Sequence, residues 1–139
     1  MRKIAATYIF PVSSPPLKYG ILILDDQEKI LEVKDTGGKL HEEAGLEYYN
    51  GILVPGFVNA QGHSRHSILS EMKAIQEKNE KVTLQELIQQ VTLNGAKALR
   101  KEDQLGSFEV GKIPGVYLLE KADLHNLRLM PDTKVRRLV

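Results

Sequence analysis

The chain has 139 residues, 42% of them hydrophobic, which is enough for one domain with a buried core. Its 19 basic and 18 acidic side chains nearly cancel, which excludes the strong positive field of a nucleic-acid or anionic-membrane binder. Cysteine is absent, so disulfides, thiolate nucleophiles and thiolate metal ligands are excluded as well.

Lys3 to Phe10 is a short β-prone run, stopped by Pro11, Pro15 and Pro16, which cannot donate to a sheet ladder. Gly20 to Asp25 predicts a second strand. After the polar turn Asp25 to Glu28, Lys29 to Lys34 partly alternates and completes a hairpin. Asp35-Thr36-Gly37-Gly38 is a loop, and residues 39–45 suit a short helical turn. Leu46 to Asn50 and Ile52 to Pro55 read as two more short strands, the second ended by Pro55-Gly56.

The pattern changes after Asn59. Residues 61–66 read as a polar linker. A helix is expected over about 67–79, with Ile68, Leu69, Met72 and Ile75 on one face at 3.6-residue spacing. A second is expected over about 83–99. Thr83 and Glu86 form its capping box, and Leu84, Leu87, Ile88, Val91 and Ala96 its apolar stripe. The Asn94-Gly95 pair inside it is unfavourable on propensity grounds. Strand signals then return at Gly106 to Gly111, at Val116 to Leu119, and at Lys134 to Val139, which suits a charged edge strand.

Strands, helices, strands in that order predict an α+β domain. It would be a small β-sandwich built from N- and C-terminal strands, with the two helices packed on it. The parts are residues 1–60 (N-terminal strands), 61–66 (junction), 67–100 (helical pair) and 101–139 (C-terminal strands), making a single composite domain over 1–139.

Two stretches carry a family likeness. Asn50-Gly51-Ile52-Leu53-Val54-Pro55-Gly56-Phe57-Val58-Asn59-Ala60 resembles the segment that leads from the small β-domain into the first barrel strand of metal-dependent amidohydrolases. The aminohydrolase, chlorohydrolase and deaminase-like branch is the nearest in kind. Thr92 to Leu99 followed by Leu105-Gly106-Ser107-Phe108-Glu109-Val110-Gly111-Lys112 resembles that family's last barrel helix and the return to the β-domain. Residues 67–79 resemble a late barrel-associated helix. A (β/α)₈ barrel takes roughly 250 residues. Here only residues 61–66 separate the two family-like halves, so the catalytic barrel is missing from between them. Well-patterned flanks favour excision over gene decay.

The resemblance implies metal-activated hydrolysis of C–N bonds, with a His-x-His pair at the end of the first barrel strand. In this chain Gln61 stands at the first ligand position and His63 at the second. Glutamine is a weak transition-metal ligand compared with imidazole. His63 and His66, spaced as His-x-x-His, are the candidate metal ligands, yet a catalytic zinc needs about three protein ligands. The remaining histidines are His41 and His125. His41-Glu42-Glu43 lacks the second histidine of a zinc-protease helix, because position 45 is glycine. The glycines form no phosphate loop, and Ser13, Ser14, Ser64 and Ser67 show no base beside them.

The expected function is therefore a non-catalytic structural remnant or engineered scaffold, with no catalytic residue and no cofactor. The alternatives are a weak or chain-completed metal-dependent hydrolase, using zinc, iron, nickel or manganese at His63 and His66, and a peptide or small-molecule binding module. The stripes over 68–75 and 84–96 lose their barrel partners, which predicts a homo-oligomer through exposed helix faces. No nucleic acid and no membrane is expected as partner. No apolar run approaches a membrane span, and Met1-Arg2-Lys3-Ile4 lacks a signal-peptide core, so the expected location is cytoplasmic.

Overall fold

The computed structural model describes residues 1–58 and 62–139. Seven strands form, β1 (Arg2–Ile9), β2 (Leu17–Lys18), β3 (Ile21–Leu24), β4 (Ile30–Lys34), β5 (Leu46–Pro55), β6 (Val116–Glu120) and β7 (Lys134–Arg137). Three helices lie between β5 and β6, namely α1 (Arg65–Lys78), α2 (Leu84–Val91) and α3 (Leu93–Ala98). The α+β class follows, and the strands from both ends of the chain join one sheet in the order β4-β3-β1-β5-β6-β7, with β2 on the end of β1. The pairing of β1 with β5 is parallel and the others are antiparallel. N- and C-terminal halves meet at β5–β6, where Ile52 to Pro55 face Leu119 to Val116.

Alternation along the strands sorts the apolar side chains onto two faces. Ile4, Ala6, Ile9, Leu22, Leu24, Leu53, Val116 and Leu118 point to one side and share a core with Phe108 and Val139. The layered character expected of a sandwich comes from this single sheet closing around that core. Its two sides are tied by Ile30 N–H donating to Lys112 O and Gly111 N–H donating to Ile30 O, and by Arg2 Nη1 donating to Leu138 O. Phe10, Ile52, Val54, Leu119 and Val135 belong to a second core, shared with the helices.

The helical stripes are covered. Ile68, Leu69 and Met72 of α1 and Leu84, Leu87 and Ile88 of α2 are buried in that second core. The sheet thus covers these residues of the two stripes expected to drive homo-oligomerisation. Ile75, placed in the stripe by its spacing, is the exception at 41% exposed.

Several local expectations are corrected by long-range contacts. The helix expected over 83–99 breaks at Thr92, whose φ of −121° and ψ of −89° leave the helical region. The Val91 carbonyl accepts instead from Val58 N–H at 2.7 Å, and the buried Thr92 hydroxyl donates to Ile88 O at 2.6 Å. A Cβ at Gly95 would collide with the Val58 carbonyl oxygen, so glycine is what allows this approach. The two strands expected at 46–50 and 52–55 are one strand, β5. Gly51 sits where the β1–β5 register shifts, and a Cβ there would lie 2.5 Å from Leu119 O. Residues 39–45 form no helical turn, and Gly106 to Gly111 form turns, not a strand. The first helix starts at Arg65, so Arg65 and His66 are helical and lie outside any linker.

Candidate functional site

The candidate ligands sit where the two halves of the chain meet. Ser64 caps α1, its hydroxyl accepting from Ser67 N–H at 3.1 Å. That fixes His63 just before the helix and His66 in its first turn. His63 Nδ1 lies 3.7 Å from Glu71 Oε1, with both side chains substantially exposed. His66 is exposed, and its carbonyl accepts from Ser70 Oγ one turn onward in the helix. His41 lies in the segment between β4 and β5, and His125 in a turn capped by Asp123. Gln61, at the first ligand position, lies outside the described residues.

Among the described residues no three His, Asp or Glu side chains converge as a metal cluster. A divalent-metal centre needs about three protein ligands and a screened pocket. His63 and Glu71 supply two donors in open solvent. Among the described residues this donor set falls short of the one that the family resemblance implies.

The serines fare similarly. Ser64 Oγ donates to Ser67 Oγ at 3.0 Å. A better-ordered polar cluster escaped the sequence reading. Lys112 Nζ donates to Ser107 Oγ at 2.7 Å and lies 3.0 Å from Glu109 Oε1, while Ser107 Oγ donates to Glu109 at 2.6 Å. Those contacts, the serine hydroxyl first and the ammonium next, hold the Glu109 carboxyl below its usual range. Ser107 is fully buried, so no substrate reaches its hydroxyl. The cluster fastens the 106–112 turn against Ile30 of β4. Its three residues are separated by ordinary turn spacing, and nothing in the sequence distinguishes them from solvated polar residues.

Beside the junction, Phe57 and Tyr117 meet edge to face at 5.1 Å, and the Arg65 guanidinium lies over the Tyr117 ring at 5.9 Å. These rings wall a cleft of about 440 Å³ that also touches Leu99, Lys101, Ile113 and Arg137. Among the described residues that line it, no nucleophile is paired with a base. Among the described residues no helix is long and apolar enough to cross a membrane.

No curated protein matches the chain. The sequence model of the amidohydrolase family matches residues 65–135, just over half of it. That match spans the three helices, the Ser107–Lys112 turn, β6 and the start of β7; it includes the second stretch of the likeness, 92–112, and the helix read at 67–79, while the first stretch, 50–60, lies outside it. The chain belongs to the amidohydrolase family.

Proposed function

We propose that this protein is the small β-domain of an amidohydrolase, closed on itself without its catalytic barrel, and that its role is structural, as a remnant or an engineered scaffold. The observation that carries this reading is the bond from Val58 N–H to Val91 O at 2.7 Å. The segment expected to lead into a barrel docks on the break between α2 and α3. The same helices then bury their apolar faces on the sheet, which leaves a finished core. The exposure of the His63 and His66 side chains adds support. We place the protein in the cytoplasm, on its freedom from cysteine.

The test is elemental analysis of untagged protein purified without chelator, with amidase and deaminase assays on the same sample. Less than about a tenth of an equivalent of zinc, iron, nickel or manganese, without turnover, is the expected result. About one equivalent, lost in His63→Ala/His66→Ala together with a hydrolytic activity, would replace this reading with that of a metal-dependent hydrolase.

A further inference from the structure

The sheet carries a third apolar cluster, separate from the two main cores. It consists of Ala5, Ile21 and Ile23, all buried, with Leu46 packed against them. Register explains the grouping. Lys3 faces Ile23 and Leu46, Ala5 faces Ile21 and Tyr48, and Ile21 faces Lys34. Paired residues share a face, so this small patch lies between two lysines, one on β1 and one on β4, with β3 between them. The helices are packed elsewhere, in the core around Phe10, Ile52 and Leu119.

The chain segment tied to the two lysines that flank this patch is 39–44. It has no regular structure, and most of it is exposed. Glycines in the left-handed region bound it at both ends, Gly37 (φ 69°) and Gly38 (φ 81°) before it and Gly45 (φ 76°) after it. Its one backbone hydrogen bond among the described residues is local, from Leu46 N–H to Glu43 O. What ties it across the sheet is the Glu43 carboxylate. Lys3 Nζ donates to Oε2 at 3.1 Å, and Lys34 Nζ donates to Oε1 at 2.7 Å. A shallow cleft of about 390 Å³ lies along it, lined by Leu40, Glu43, Leu46 and Tyr48.

We infer that residues 39–44 are a detachable strap, hinged at Gly37-Gly38 and Gly45 and latched by Glu43, that uncovers the Ala5–Ile21–Ile23 face without unfolding the domain. Both latching contacts are partly solvent-exposed ion pairs, a class worth little individually and weakened by salt. No sheet hydrogen bond has to break for the strap to lift, because its backbone contributes none. Opening therefore lies at the low end of local unfolding free energies. The hinges need no strain to move, because glycine populates both signs of φ.

Hydrogen exchange of the intact chain, read by mass spectrometry, tests this. Glu43→Gln and, separately, Lys34→Gln should speed exchange of the Leu46 amide, whose bond to Glu43 O is the segment's one protected amide, by about twofold to fivefold. Exchange in β6 and in Ile52 to Pro55 should stay unchanged. Raising salt on the unmodified protein should move the Leu46 amide in the same direction. Fluorescence of anilinonaphthalene sulfonate should rise in the variants as the apolar face is uncovered. Unchanged exchange at the Leu46 amide together with unchanged dye fluorescence in both variants would overturn the latch. Acceleration spread evenly over the sheet would overturn the strap, making the segment an integral part of the fold.

Discussion

Val58 N–H donates to the carbonyl of Val91 at 2.7 Å, across the one place where the second helical segment stops being a helix. That bond takes a carbonyl out of the helical ladder and gives a donor just past the sheet a partner. It requires close backbone approach, and Gly95 provides it.

Gly95→Ala should therefore destabilise the protein, although alanine is the better helix former. The new methyl meets a backbone oxygen that cannot swing away. The expected loss is about 1–3 kcal/mol, read as a lower urea midpoint at unchanged slope. A neutral or stabilising result would mean that Val58 is not held against α3.

Ile88 is fully buried where α2 meets the sheet. Ile88→Ala should cost about 2–5 kcal/mol, from lost burial and the cavity left behind. The same change at Ile75, which is 41% exposed, should fall within about 0.5 kcal/mol of neutral in burial terms. Chemical denaturation of the pair separates a stripe that faces the sheet from one that faces solvent.

Lys112→Met should cost about 1–3 kcal/mol, because the ammonium is buried against Ser107 and Glu109 and its loss removes a charge-assisted bond. The loss should appear in exchange at the 106–112 turn and at Ile30, whose backbone it faces. An effect confined to residues far from β4 would argue against the fastening role.

Acid should unfold the protein from below the ordinary carboxylate range. Glu47 is held low by hydrogen bonds from Arg2, and Glu43 by those from Lys34 and Lys3. Glu109 is held low by Ser107 and Lys112, and Asp123 by Asn126. Each folded value is depressed, so each contribution is complete above the unfolded value and is lost as pH falls through the folded one. Urea midpoints should be flat from neutral pH to about 5 and fall steadily below about 4. A midpoint that rises on acidification would contradict the sign of these shifts.

Much of the architecture was legible because it rests on local periodicity. Short β-prone runs bounded by turn residues marked β1, β3, β4 and β6, with partial alternation in β4. The 3.6-residue spacing of Ile68, Leu69 and Met72 marked α1, and Thr83 marked the start of α2, where its hydroxyl does accept from Glu86 N–H at 3.1 Å. The family likeness was legible too.

What the sequence by itself determined, then, is which segments are strands and helices, and the family to which they belong. Those depend on neighbours in the chain, through side-chain alternation and capping. Tertiary structure alone decided that Gly51 continues a strand beneath Leu119 O, that the helix stops at Thr92, and that the apolar stripes find a cover. It also decided that Lys3, Lys34 and Glu43 converge on one face. Each of these depends on a group brought close by sheet order from a distant part of the chain, and no local pattern encodes that order.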